Sequence, residues 1–188
     1  RFVKTGITGI DMKLRGLKKS YVSVMSGLRA AGKSSVISEI ILDGIDAGNR
    51  IAVFSGELAP KNFMRWMNLQ AAGRGYTEPT QFEGYYNVRR QYQDRIAAWL
   101  GKNFWLYNNE YGNDFKAIGE QFERLIEAEK LDLLILDNLM AFNITSLAES
   151  KYDAQTAFVI ELQRLAKKYN VHILFVAHPR KSLGFLRL

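Results

Sequence analysis

The chain has 188 residues, a length typical of one folded domain with a substantial core. Hydrophobic residues make up 47% and charged residues 24%, which excludes a disordered chain, and the absence of cysteine excludes disulfides and thiolate metal sites. Twenty-six basic residues against 19 acidic ones give a net charge of +7, which favours a polyanionic partner without identifying it.

Apolar periodicity predicts strands that alternate with helices along the chain, after a glycine-rich opening segment at residues 5–17. The predicted strands are 21–26, 50–55, 104–107, 131–136 and 171–177, and the predicted helices are 33–46, 60–72, 92–100, 115–129 and 154–169. Residues 73–87 are predicted to be a long surface connection. Because the strands are nearly continuous apolar runs, we expect them to be buried on both faces. This pattern indicates an α/β fold with a mainly parallel, doubly wound sheet and helices on both faces.

The segment between the first strand and the first helix fits the pattern G-x-x-x-x-G-K-[ST]. Its residues are Gly27, Leu28, Arg29, Ala30, Ala31, Gly32, Lys33, Ser34 and Ser35. Glycines let the backbone curl so that N–H groups face phosphate oxygens, and the positive end of the following helix strengthens that field. Lys33 is predicted to contact the β and γ phosphates, and the Ser34 hydroxyl to bind Mg²⁺. The alternative is an ordinary glycine-containing turn, but the strand-loop-helix context favours a nucleoside triphosphate site.

Ligands of such sheets gather at the carboxyl ends of the strands, so the polar residues at those ends are candidate site residues. Asp137 ends an apolar run and is predicted to hold the hydration shell of Mg²⁺ opposite Ser34; capping of the next turn is the alternative. Glu57 follows the second strand and is predicted to polarise the attacking water; a solvated loop glutamate is the alternative. His178 ends the fifth strand and suits a sensor of the γ phosphate.

Three further polar residues of this last segment receive weaker predictions. His172 lies at the start of the fifth strand and is predicted to be structural rather than catalytic. Arg180 and Lys181 follow His178 directly. The sequence leaves open whether they contact phosphate, a nucleic-acid backbone or solvent alone.

Five motifs together resemble the RecA-like P-loop motor domain of replicative hexameric helicases. This group contains bacterial DnaB, the phage helicase-primases and mitochondrial Twinkle, with Twinkle and its phage relatives the most similar. The motifs are T-G-x-x-x-(I/L)-D at residues 5–11, the phosphate loop, F-S-G-E at 54–57, I-L-D-N at 135–138 and A-H-P-R-K at 177–181. Very many ATPases share the phosphate loop, whereas F-S-G-E and H-P-R-K are much narrower signatures.

The resemblance implies an ATP-dependent 5′ to 3′ DNA helicase that uses ATP, or another NTP or dNTP, with Mg²⁺. It implies a catalytic set of Glu57, Lys33 and His178, with Asp137 and Ser34 on the metal. It also implies a homohexameric ring around single-stranded DNA, in which residues 139–151 form a channel-facing loop. Four polar side chains of that loop are candidates for phosphate contacts: Asn143, Thr145, Ser146 and Lys151. A plain connecting loop is the alternative.

The same resemblance implies primase or polymerase as further partners. It implies a cytoplasmic protein of a bacterium or phage-infected cell, with the mitochondrion as the alternative, and no apolar run reaches the length of a membrane span. The family continues past H-P-R-K to an arginine finger, so we expect residues 1–188 to be one RecA-like domain of a longer protein. Alone it should hydrolyse ATP poorly and stay monomeric. Two other interpretations stay open: a RecA-like or KaiC-like ATPase of recombination or regulation, and a nucleotide-binding loader subunit.

Overall fold

A computed structural model describes residues 2–28, 31–138 and 141–177. The strands are β1 (Phe2–Val3), β2 (Leu17–Lys18), β3 (Val22–Ser26), β4 (Ile51–Ser55), β5 (Thr77–Pro79), β6 (Tyr86–Val88), β7 (Phe104–Leu106), β8 (Leu133–Asp137) and β9 (His172–Ala177). The helices are α1 (Thr8–Leu14), α2 (Lys33–Asp46), α3 (Pro60–Ala72), α4 (Arg90–Leu100), α5 (Phe115–Glu129) and α6 (Lys151–Tyr169). Short 3₁₀ turns cover Arg74–Tyr76, Asn109–Tyr111 and Thr145–Leu147.

Five strands form a sheet in the order β3-β9-β8-β4-β7, and every neighbouring pair is parallel. The chain therefore crosses the sheet between β3 and β4, and later fills the gap with β8 and β9. Residue pairing aligns the carboxyl ends: Ser26 lies opposite Ala177, and Ser55 lies opposite Asp137. The loops after these four strands consequently meet at one edge of the sheet.

Two apolar layers enclose the sheet, one on each face. On one face α5 and α6 pack against Leu134 and Leu136, whereas on the other face α2 and α3 pack against Leu133 and Ile135. This split follows from the strand repeat, since successive side chains point to opposite faces. All four of these β8 side chains are completely buried. The predicted parallel α/β fold with helices on both faces is confirmed.

The expectation that every strand is buried on both faces is wrong for β3. Val24 is 57% exposed, and Ser26 is exposed as well. The reason is position, because β3 forms an edge of the sheet and pairs only with β9 among the described strands. An apolar run thus identified the strand but not its place in the sheet.

Several helices begin and end where the sequence predicts, but short elements escaped prediction. The bounds of α2, α3 and α5 coincide with the predicted ranges, whereas α6 begins three residues earlier, where the Ser150 hydroxyl accepts a hydrogen bond from the Asp153 amide. The opening segment contains α1 and the β1–β2 pair, and the predicted connection at 73–87 contains most of a β5–β6 hairpin. Strands of two or three residues are too short to show a periodicity. Within the described residues, no helix has the length and apolar character to cross a bilayer.

Candidate functional site

The phosphate loop leads into α2 through a glycine that the backbone requires. Gly32, directly before the helix, has φ of 78°, a left-handed conformation that side chains other than glycine adopt at a cost. No side chain caps the start of α2, and its first turn contains no acidic residue. The first N–H groups of this 14-residue helix therefore lack a side-chain acceptor, which suits them to an anion.

Lys33 folds back over the loop that precedes it. Its Nζ donates to the carbonyl oxygens of Gly27 and Leu28, both at 2.8 Å. The ammonium group thus lies within the loop, where a phosphate would meet a positive charge and backbone N–H groups together. Arg29 and Ala30 lie outside the described residues, so their predicted share in the loop stays a prediction.

Two acidic residues meet at the ends of the neighbouring strands β4 and β8. Asp137 is the last residue of β8 and only 3% exposed, whereas Glu57 follows β4 and is exposed to solvent. The Glu57 carboxylate accepts a hydrogen bond of 2.6 Å from Nδ2 of Asn138, 81 positions away in the sequence. The pairing of β4 with β8 therefore brings the predicted catalytic carboxylate beside the predicted metal-side acid.

Asn138 is the site residue that the reasoning from sequence missed. It is 4% exposed, and its Oδ1 accepts a hydrogen bond of 3.1 Å from the Ala141 amide. Each end of this buried side-chain amide thus has a partner. The signal was present in the I-L-D-N motif, where the asparagine directly follows the acid, but a contact with Glu57 depends on strand order and cannot be inferred from the motif.

Gly56 explains the glycine of F-S-G-E by close packing rather than by backbone conformation. A Cβ on this residue would lie 1.9 Å from Cβ of Ala141, in the loop after β8. The amide of Gly56 also donates to the carbonyl of Asp137. The loops that carry Glu57 and Asn138 can approach this closely only because residue 56 has no side chain.

Sequence and structure comparisons agree with this geometry. The AAA domain family matches residues 12–183, most of the chain. This chain is a member of that family. A search of curated proteins found no match.

Three solved structures resemble this AAA domain. The first, the ATPase domain of a helicase, has a TM-score of 0.73 at 13% identity, covering 96% of this chain and 65% of that one. A DnaB-like replicative helicase, described with its interactions with primase, has a TM-score of 0.74 at 13% identity, covering 96% of this chain and 44% of that one. The RadB recombinase has a TM-score of 0.61 at 14% identity, covering 97% and 74%.

At such identities the likeness establishes the fold, which is that of RecA-like P-loop ATPases. The predicted resemblance to the motor domains of replicative helicases is confirmed at that level. The chain spans 65% and 44% of the two helicase structures it matches.

Several predicted residues of the AAA domain fall where the structure gives no account of them. His178, Arg180 and Lys181 lie outside the described residues, so their predicted roles stay predictions. The preceding residue, Ala177, pairs with Ser26 at the end of β3, directly before the phosphate loop. The fifth strand therefore ends at the same edge of the sheet as the phosphate loop.

The loop after β8 uses much of its polar character internally. Leu139 and Met140 lie outside the described residues, and the described part begins at residue 141. Oδ1 of Asn143 accepts from the hydroxyl of Thr145 at 2.7 Å, and the hydroxyl of Ser146 donates to Asp114 at 3.0 Å. Lys151 is exposed at the start of α6. These internal bonds give the loop a defined shape, and the predicted phosphate contacts stay a prediction.

His172 lies away from this edge, at the start of β9. It is 1% exposed, and its Nδ1 donates to the carbonyl of Lys18 at 2.7 Å. Burial lowers the pKa of His172 below its usual value, which keeps the ring neutral. This placement agrees with the predicted structural role.

The residues at the sheet edge fit a nucleotide with Mg²⁺ better than a metal held by protein alone. Among the described residues, no group of three or more histidine, aspartate or glutamate side chains forms a metal site. Mg²⁺ usually takes one or two protein oxygens and completes its shell with phosphates and water. Ser34 in the first turn of α2 and the buried carboxylate of Asp137 supply oxygens of that kind.

Proposed function

We propose that this AAA domain is the motor of a replicative DNA helicase, which couples ATP hydrolysis to 5′ to 3′ translocation on single-stranded DNA and to duplex unwinding. One observation carries the proposal: the phosphate loop, Asp137 and Glu57 meet at one edge of the sheet. An uncapped helix start, a buried acid and an oriented exposed carboxylate are the groups that transfer of a phosphoryl group to water requires.

Each residue has a distinct part in the proposed hydrolysis. Residues 27–35 bind the triphosphate, and Lys33 offsets charge on its β and γ phosphates. Ser34 and Asp137 would hold Mg²⁺, which neutralises phosphate charge when bound. Glu57 takes a proton from water as the water oxygen bonds to the γ phosphorus and the bond to the bridging oxygen breaks. His178, next to the end of β9, reads whether the γ phosphate is present.

The wider assembly is part of the proposal. We infer a homohexamer around single-stranded DNA, with residues 139–151 toward the channel and an arginine from a neighbouring subunit at the γ phosphate. Primase or polymerase are the expected further partners, and residues 1–188 are one domain of the whole protein, in the cytoplasm of a bacterium or phage-infected cell or in a mitochondrion. The net charge of +7 and the likeness to two helicase structures support this proposal.

The test measures ATP turnover and strand displacement on the complete protein. We expect turnover to rise with single-stranded DNA, and a duplex with a 5′ tail to be unwound faster than one with a 3′ tail. The Lys33→Ala variant, which should lose both activities, controls for contaminating enzymes. Equal turnover with and without DNA, together with no displacement of either duplex, would overturn the proposal.

The likeness to the RadB recombinase favours a second candidate, a RecA-like ATPase of recombination. That likeness is weaker, with a TM-score of 0.61 against 0.73 and 0.74 for the two helicase structures. Such a protein would hydrolyse ATP on DNA without displacing a strand. A loader subunit would hydrolyse little with or without DNA, so the same two measurements separate all three functions.

A further inference from the structure

The Glu57 carboxylate is exposed, yet one of its oxygens is held from inside the protein. An exposed glutamate ordinarily samples several side-chain rotamers, and a group that must activate one water loses rate when it is misplaced. In this AAA domain Oε1 of Glu57 accepts a hydrogen bond of 2.6 Å from Nδ2 of Asn138. A donor fixed at that distance restricts the carboxylate to few orientations.

Asn138 is itself fixed by its surroundings. Its side chain is 4% exposed, and its Oδ1 accepts from the Ala141 amide, which leaves Nδ2 as the end that faces Glu57. It directly follows Asp137, which pairs with Ser55 in the sheet. The donor and the carboxylate thus follow two neighbouring strands whose register sets their separation.

We propose that Asn138 is a positioning residue for hydrolysis. Its Nδ2 holds Oε1 of Glu57, so that Oε2 accepts the proton of the attacking water. This inference rests on the proposed role of Glu57 and adds a residue that acts only through it. A hydrogen-bond donor also makes a carboxylate a weaker base, so the benefit of Asn138 lies in orientation rather than in basicity.

A different role would leave the same residue buried: Asn138 holds the loop after β8 through Ala141. Two substitutions and a control separate the roles. Asn138→Asp keeps an oxygen for the Ala141 amide but removes the donor and adds a negative charge beside Glu57. Asn138→Ala removes both contacts. Asn113→Ala removes the other side-chain bond to this loop, because Nδ2 of Asn113 donates to the Ala141 carbonyl at 2.9 Å.

The kinetic test uses the complete protein and steady-state hydrolysis without DNA. We expect both Asn138 variants to lower kcat by roughly 10- to 100-fold while KM changes by less than about threefold, because ground-state binding does not involve Glu57. Calorimetry with a non-hydrolysable ATP analogue should give an unchanged affinity. Asn113→Ala should keep kcat within about twofold, since it loosens only the loop.

A double-mutant cycle decides whether Asn138 acts through Glu57. In a Glu57→Gln background, Asn138→Ala should cause no further loss of kcat, because residues that act as a unit are not additive. A full additional loss in that background, or an unchanged kcat for Asn138→Asp, would overturn the inference. Should Glu57→Gln itself retain turnover, the proposed role of Glu57 fails and this inference fails with it.

A measurement without turnover keeps the inference testable even where Asn138→Ala does not fold. The side-chain amide signals of Asn138 in a ¹⁵N-correlated NMR spectrum are identified by their loss in Asn138→Asp. We expect them to shift in Glu57→Gln, where a neutral acceptor replaces a carboxylate, and much less in Asn113→Ala. Signals that Glu57→Gln does not move would show that the two side chains do not interact.

Discussion

The two sides of the candidate site are built in different ways. The phosphate-loop side consists of nine consecutive residues, 27–35, and its chemistry comes from local backbone geometry at the start of α2. The acid side consists of Glu57, Asp137 and Asn138, which meet because β4 pairs with β8. A motif can specify the first side, whereas the second exists only after the sheet has formed.

The largest effect is expected on the phosphate-loop side. Lys33→Ala removes the point charge from a loop organised around it, since Nζ bonds to the carbonyls of both Gly27 and Leu28. We expect ATP binding to fall below detection in titration calorimetry. Lys116→Ala, at an exposed position of α5, is the matched control and should bind ATP as the wild type does. A calorimetric trace that Lys33→Ala leaves unchanged would refute the role of this residue.

On the acid side, substitution should separate binding from chemistry. Glu57→Gln preserves size and an oxygen that accepts the bond from Asn138, but it removes the base. We expect ATP and Mg²⁺ to bind normally while turnover of the complete protein falls by about 10² or more. Glu83→Gln, at an exposed position between β5 and β6, should leave turnover unchanged. Retained turnover in Glu57→Gln would move the catalytic role elsewhere, with Asp137 the next candidate.

Gly56 tests whether close packing holds the acid side together. A methyl group at this position would meet Cβ of Ala141 at 1.9 Å, so Gly56→Ala must displace the loop after β8. We expect a loss of about 1–3 kcal/mol in the free energy of unfolding, measured by denaturant titration. Gly75→Ala is the control, since a Cβ there has no atom within 4 Å. If both variants unfold at the same denaturant concentration, the loop is not held at this distance.

These differences explain which parts of the molecule could be predicted from sequence. The start of α2 follows from the phosphate loop and its end from Ala47-Gly48, while a continuous apolar stripe identifies α5, so local signals located both helices. Asn138 and Gly56 depend on which strand lies beside which, and no local signal reports strand order. The opening helix α1 was missed because Asp11 organises it from a distance, accepting a bond of 3.0 Å from the Thr5 amide.

The smallest expected effect belongs to a region remote from both sides of the site. Glu123 on α5 accepts hydrogen bonds from three residues of α6: Arg164 at 3.0 Å, Lys168 at 3.0 Å and Tyr169 at 2.9 Å. The bonds from Arg164 and then Lys168 lower the pKa of Glu123 from 4.5 to about 2. This network joins two helices on one face of the sheet, so it concerns stability rather than hydrolysis.

Because the pKa of Glu123 is lower in the folded protein, the unfolded chain takes up its proton at a higher pH. The stabilisation is therefore complete above pH 4.5 and is lost as the pH falls toward 2. Glu123→Gln should lower the free energy of unfolding by about 1 kcal/mol at pH 7, since partial exposure screens the charges, and the difference should vanish near pH 2. Glu120→Gln, 3.9 Å from Arg124 on an exposed surface, should cost less at any pH. A Glu123→Gln deficit that persists unchanged to pH 2 would mean that packing, not charge, joins α5 to α6 at this point.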